Sequence, residues 1–98
     1  MMDYAEHQRQ DARLVMLRAL HEQPDDTLNE TMLLTTLKAF GYRKTKEWVR
    51  TELRVMEDLG AVRLDRVGEF VIAKITEAGA SHVERVTTIE GIARPSRR

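Results

Sequence analysis

The chain has 98 residues, enough for one hydrophobic core, and its 16 basic and 16 acidic side chains give a formal net charge of zero. It contains no cysteine, which excludes disulfides and thiolate metal sites and predicts a cytoplasmic location. No apolar run approaches the roughly 18 residues of a membrane span, and the start of the chain is rich in charge. Neither a membrane span nor a signal peptide is therefore expected.

A long first helix is expected from Asp3 to Glu22, before a turn at Pro24. Its second half has two apolar stripes, one of Met16, Leu17 and Leu20 and a smaller one of Ala12, Val15 and Ala19. A helix with two apolar sides is usually held between two partners. Either both partners lie in the same chain, or the smaller stripe is an interface between copies. We predict a homodimer through this helix, with the C-terminal helix as a second contact.

Two more helices are predicted before residue 60. Thr27 and Leu28 can form one short bridge of strand, and Asn29 is a good N-cap for the second helix. The apolar stripe of this helix consists of Leu33, Leu34, Leu37 and Phe40, and Gly41 follows as a stop. The third helix is expected from Thr45 to Leu59, with a core stripe formed by Val49, Leu53, Met56 and Leu59.

The third helix also has a basic outer face. Lys46, Arg50 and Arg54 recur every four residues, largely opposite the core stripe. Residues 31–54 hold six bases and two acids, whereas residues 1–30 hold three bases and seven acids. A neutral chain with a basic middle is polarised, which favours a side that faces a polyanion.

A β-hairpin is predicted after Gly60, where the hydrophobic period changes from helical to two. Residues 61–65 and 69–75 are its two strands, and residues 66–68 form the turn, with Gly68 able to take a positive φ. Because two strands alone are marginal in water, the hairpin must pack against the helices.

A fourth helix is expected after the hairpin, because Thr76 can cap a helix of about ten residues. The segment 89–98 has little periodicity and is predicted to be a flexible basic tail. Residues 1–88 then form a single domain. The fold class is α+β, mainly α: three helices, a two-stranded hairpin and a C-terminal helix.

The stretch from Thr45 to Gly79 resembles winged helix-turn-helix regulators. The first matching segment is similar to their recognition helix and the start of the wing: Thr45-x3-Val49-x3-Leu53-x2-Met56-x2-Leu59-Gly60-Ala61-Val62. The segment Ile75-Thr76-Glu77-Ala78-Gly79 resembles the Leu-Thr-x-x-Gly that often follows the second wing strand. The short length and long first helix are also similar to small winged-helix proteins of Mu-like phages and prophages.

The resemblance implies a DNA-binding transcriptional regulator. The second helix would cross the DNA backbone, the third would enter the major groove, and the hairpin would be the wing. The groove-facing candidates carried over by position are Thr45, Lys46, Glu47, Arg50, Thr51 and Arg54. Three further bases would meet phosphates: Arg43 and Lys44 before the helix and Arg66 at the wing turn.

Three residues of the third helix depart from the family pattern. Trp48 beside the basic face has three readings: packing under the second helix, anchoring a protein partner, or contacting a base. Glu47 and Glu52 dilute the positive charge of the helix. Glu52 is expected off the groove surface, whereas Glu47 either reads cytosine or supports the helix end.

The alternative function is a winged-helix protein-interaction module without DNA binding, because the fold hosts both. A regulator needs Arg50 and Arg54 exposed, whereas a module would bury that face or use an exposed Trp48. Catalysis has little support, since the three histidines are scattered and the glycines lack phosphate-loop spacing. We therefore expect no enzyme activity, no cofactor and no metal.

Overall fold

Four α-helices and a three-stranded antiparallel sheet form the fold in the computed structural model, which describes residues 3–96. The elements in chain order are α1 (Tyr4–His21), β1 (Thr27–Asn29), α2 (Glu30–Ala39), α3 (Lys46–Asp58), β2 (Val62–Val67), β3 (Phe70–Ile75) and α4 (Glu77–Val83). The α+β, mainly helical class is confirmed.

Each helix starts at a side chain that accepts a hydrogen bond from the backbone N–H three residues later. These N-caps are Asp3, Asn29, Thr45 and Thr76. Such caps satisfy donors that the first turn of a helix cannot satisfy itself. The predicted caps of α2, α3 and α4 are therefore confirmed.

The sheet has the strand order β1–β3–β2, so the short strand β1 adds a third strand to the predicted hairpin. Thr27, Leu28 and Asn29 pair with Lys74, Ala73 and Ile72. The hairpin turn differs from the prediction. Val67 pairs with Phe70 across a two-residue loop that begins at Gly68, whose φ is +60°.

The shifted turn changes the position of Arg66, which lies within the ladder opposite Val71 and not in the turn. A two-residue hairpin loop with glycine first matches the twist of the strands better than the predicted three-residue turn. Since side chains alternate between faces, Arg66 lies on the same side of the sheet as the buried Val71.

Helix α1 lies at the centre of the core and packs against α2, α4 and the sheet. Both of its apolar stripes are buried: Met16, Leu17 and Leu20, and also Ala12, Val15 and Ala19. The remaining core side chains include Leu33, Leu37, Val49, Leu53, Met56, Val62, Val71 and Ala73. Packing within the chain therefore accounts for both stripes of α1.

Phe40 was expected in the core stripe of α2, but it is 66% exposed. The helix ends at Ala39, and Phe40 is its C-cap with a non-helical ψ of 9°. Gly41 follows with φ +92°, which turns the chain away. The side chain of Phe40 is therefore not held on the buried face of the helix.

The C-terminal segment packs onto the domain over its described residues, where a flexible tail from residue 89 was expected. Ile92 is buried, the N–H of Ala93 donates to the carbonyl of Gln10, and Gly91 turns the chain with φ +100°. Helix α4 is shorter than expected and ends at Val83. Residues 97 and 98 of the predicted tail lie outside the described residues.

Candidate nucleic-acid interface

The face of α3 turned away from the core is polar and exposed. Lys46, Glu47, Thr51 and Arg54 are exposed, whereas Val49, Leu53 and Met56 are buried on the opposite side. Most of the candidates predicted on this helix thus share one surface. Thr51 also donates through Oγ1 to the carbonyl of Glu47 at 3.0 Å, a local bond within the helix.

Arg50 differs from the other bases on this face because a buried carboxylate holds it. Its Nε and Nη2 donate to the two oxygens of Glu30, with 2.7 Å between Nη2 and Oε1. Nη2 also donates to the carbonyl of Glu69 in the hairpin turn at 3.0 Å. The same Glu30 accepts the N–H of Val71 at 3.3 Å.

The Glu30 carboxylate is fully buried at the start of α2. The Arg50 guanidinium holds the pKa of this carboxyl below its ordinary value, against the opposing effect of burial. Glu30 in turn raises the pKa of Arg50. The pair therefore stays ionised and joins α2, α3 and β3.

Arg54 and Arg66 lie on opposite sides of one cleft between α3 and the hairpin. This arginine cleft has a volume of about 190 Å³ and is lined by Arg50, Arg54, Glu57, Leu64, Arg66 and Val71. Within residues 3–96, the side chains of Arg54 and Arg66 make no hydrogen bond and no ion pair. Glu57 is engaged through Oε2, which accepts the N–H of Leu64 at 3.0 Å.

The turn before α3 carries the remaining candidates. Arg43 is exposed, and Thr45 caps the helix through Oγ1, which accepts the N–H of Trp48 at 3.1 Å. Tyr42 fixes the turn to α1 by donating its hydroxyl to Asp11 at 2.5 Å. Burial and this carboxylate raise the pKa of Tyr42 to about 12. The phosphate-facing candidates thus stand on an anchored turn.

Trp48 packs against the core and is partly buried. The Nζ of Lys44 lies 5.0 Å from the centroid of its ring, a cation–π distance. Of the three readings of this residue, these contacts favour packing.

Two acidic residues that look like surface charges in the sequence are structural. Glu52 is buried, as expected for a residue off the groove surface, and Arg13 donates to it from Nε at 2.7 Å. Arg13 also donates from Nη1 to the carbonyl of Gly91 at 2.7 Å. Glu30 is the second of these residues, and the sequence analysis did not predict its role. The signal in the sequence was a charged residue within one turn of Leu33, where the apolar stripe of α2 begins.

Other kinds of site are scarce in the described part of the chain. No group of three or more histidine and acidic residues within positions 3–96 could hold a metal ion. The imidazole of His82 is buried between the N–H of Ile89 and the carbonyl of Ala93, which places its proton on Nε2. None of the helices over residues 3–96 is long and apolar enough to cross a bilayer.

Two known proteins are similar to this chain. An uncharacterized protein of Haemophilus influenzae is 34% identical over 77 residues, which cover 78% of this chain and 74% of that protein. The uncharacterized protein gp26 of Escherichia phage Mu is 27% identical over 86 residues, which cover 88% of each chain. No protein-family model and no solved structure matches. The chain belongs to the same family as the Haemophilus influenzae protein, and it is similar to a protein of phage Mu.

Proposed function

We propose that this chain is a DNA-binding regulator of the winged helix-turn-helix type. Helix α3 lies in the major groove, and the hairpin of β2 and β3 is the wing on the DNA backbone. The observation that carries the proposal is the arginine cleft, which is lined by Arg54 of α3 and Arg66 of β2. A basic surface that continues from helix to wing suits a duplex, whose groove is bordered by phosphates.

Within this proposal, the exposed residues of α3 have different roles from Arg50. Lys46, Glu47 and Thr51 face the groove, Arg54 lies at its border beside the wing, and Arg43 and Lys44 meet phosphates before the helix. Arg50 orients the wing because its guanidinium is bound to Glu30 and to the turn. The proposed activity is binding alone, without a catalytic step or cofactor, and its site of action is the cytoplasm.

Fluorescence anisotropy with a labelled duplex over a salt series tests the proposal. We expect the logarithm of the wild-type binding constant to fall by about 0.9 per phosphate contacted for each tenfold rise in salt concentration. Lys46→Ala/Arg54→Ala removes two exposed bases without touching the Glu30–Arg50 pair, so it weakens binding and flattens the slope. Arg63→Ala/Lys74→Ala is the matched control, because these paired residues lie on the other face of the sheet.

The second candidate function is a protein-interaction module, and the tip of the hairpin favours it. Val67 and Phe70 pair across the turn and are 56% and 49% exposed, an apolar pair at the end of a projecting element. No duplex binding by the folded protein at low salt would exclude the DNA-binding proposal. A capture experiment would then compare wild type with Val67→Ser/Phe70→Ser.

We also propose a homodimer through the groove between α1 and α2. This groove, about 350 Å³ in volume, is lined by Val15, Arg18, Ala19, Glu22, Thr36, Phe40 and Ser96. Arg18 and Glu22 are exposed one turn apart, and within residues 3–96 neither makes an ion pair. A two-fold axis brings Arg18 of one copy to Glu22 of the other, which makes a second copy the complementary occupant.

A further inference from the structure

Building on the proposed function, we infer that the arginine cleft holds one backbone phosphate of the duplex. Helix α3 and the wing share this phosphate, so it fixes the wing against the backbone when the helix enters the groove. Arg54 and Arg66 are its direct ligands, and Arg50 completes the donor set.

Some of the N–H donors of Arg50 are used within the protein, and the others are available to a ligand. Nε and Nη2 are used by Glu30 and the carbonyl of Glu69. Within residues 3–96, Nη1 donates to no protein acceptor, although Arg50 lines the cleft. A guanidinium held in this way loses little freedom when an oxyanion binds, which favours tight and oriented contact.

The charge of the cleft suits a single phosphodiester. The guanidiniums of Arg50, Arg54 and Arg66 face two carboxylates, the buried Glu30 and the wall residue Glu57. One positive charge is left, which matches the single negative charge of a backbone phosphate. Arginine is also the side chain whose planar donors fit phosphate oxygens best.

The floor of the cleft favours a contact that is partly shielded from water. Two apolar residues line the cleft together with the arginines: Val71 is buried and Leu64 is half-buried. Charge-assisted hydrogen bonds gain strength where apolar walls reduce the local dielectric. Arg43, in contrast, lies outside the cleft and is exposed before the start of α3.

The salt dependence of duplex binding tests whether Arg54 and Arg66 share one phosphate. If they do, Arg54→Ala/Arg66→Ala lowers the slope of log K against log salt by about 0.9, the value for one phosphate. The control is Arg43→Ala/Arg54→Ala/Arg66→Ala, which also removes the separate contact of Arg43 and lowers the slope by about 1.8. A fall of about 1.8 in the Arg54/Arg66 variant would overturn the shared phosphate while leaving DNA binding intact.

A second measurement separates this inference from the proposed function. Inorganic phosphate is titrated into the isotope-labelled protein, with sodium chloride of equal ionic strength as the control, and the arginine Nε–H resonances are followed. We expect the signals of Arg50, Arg54 and Arg66 to shift along one binding curve, and the shift of Arg54 to weaken in Arg66→Ala. If no duplex binds but these shifts occur, the anion site stands and DNA binding fails. If phosphate moves none of the three signals beyond the chloride control, the inference is wrong.

Discussion

At Glu30, a carboxylate without solvent exposure accepts hydrogen bonds from Arg50 and from the backbone of Val71. Glu30→Gln keeps the shape but places an amide N–H₂ where the guanidinium needs an acceptor. We expect the variant to lower the free energy of unfolding by about 1–3 kcal/mol, the contribution typical of hydrogen bonds to charged groups. Urea denaturation measures this loss. Glu90→Gln is the control: this exposed residue makes no side-chain hydrogen bond or ion pair within residues 3–96, so the substitution should change stability by less than about 0.5 kcal/mol.

The pH dependence of the same comparison identifies the cause of the loss. Because Arg50 lowers the pKa of Glu30, the stabilising contribution is complete above the ordinary value of 4.5 and declines as pH falls toward the lowered native pKa. Glutamine does not titrate in this range. The stability difference between wild type and Glu30→Gln should therefore be constant at neutral pH and shrink in acid. A difference that stays constant from pH 7 down to about 3 would mean that altered packing causes the loss.

The basic residues of α3 differ in how much of their environment the sequence could predict. The four-residue spacing of Lys46, Arg50 and Arg54 was sufficient to predict a basic face opposite the core stripe of α3, and Lys46 and Arg54 are exposed there. The ion pair of Arg50 depends on Glu30, which is 20 residues away on another helix. No local pattern specifies such a contact, so the sequence could not show that Arg50 is bound to a buried carboxylate.

At the scale of elements, the segment from Thr76 to Gly79 joins the end of α3 to the start of α4. The backbone N–H of Thr76 donates to the carbonyl of Ala61 at 3.0 Å, and its Oγ1 donates to the carbonyl of Gly60 at 2.6 Å. Oγ1 also caps α4 by accepting the N–H of Gly79 at 3.0 Å. These bonds give a physical reason for a threonine and a glycine at this spacing.

Gly79→Ala should destabilise the protein although alanine is the better helix former. A Cβ at this position would lie 2.3 Å from the carbonyl oxygen of Ala61 and 2.8 Å from Cγ1 of Ile75. Overpacking of this kind costs about 1–3 kcal/mol, which outweighs the gain in helix propensity of about 1 kcal/mol. Thermal unfolding measures the result. Ala78→Gly is the control at an exposed site, where only propensity acts, and a Gly79→Ala variant more stable than wild type would contradict the close approach.

The elements also differ in how far their sequences determine them. The bounds of α1, α2 and α3 were predicted to within about two residues because cap and stripe act locally, whereas α4 is shorter than predicted. The hairpin turn differs from the predicted one at residues 66–68. Gly68 permits several loop lengths, and only the pairing of β2 with β3 selects one of them. The segment after Val83 has no periodicity, yet its hydrogen bonds to Arg13 and Gln10 hold it on α1. Such contacts are tertiary and leave no pattern in the sequence.

At the scale of the whole molecule, burial of both stripes of α1 changes the argument for a dimer. The Ala12 side was expected to face a second copy, but Ala12 is fully buried within the chain. Val15 and Ala19 only border the groove that contains the exposed Phe40. A homodimer therefore depends on Phe40 and on the charges of Arg18 and Glu22.

Phe40→Ser should shift the protein from dimer to monomer in sedimentation equilibrium with little change in stability. Its side chain is 66% exposed, so the folded monomer loses little packing, whereas an interface centred on it loses an aromatic contact. Val86→Ser is the control, because it removes an apolar side chain of 71% exposure outside the groove. The control should sediment as wild type does.

A charge exchange then tests the two-fold symmetry of this interface. Arg18→Glu alone places like charges across the axis and should weaken association, whereas Arg18→Glu/Glu22→Arg restores the complementary pairs in both copies. Recovery of the dimer in the double variant is expected only if residue 18 of one copy faces residue 22 of the other. A wild-type protein that sediments as a monomer at every workable concentration would exclude the dimer. The groove beside Phe40 would then have no role in self-association, and one chain would contact DNA alone.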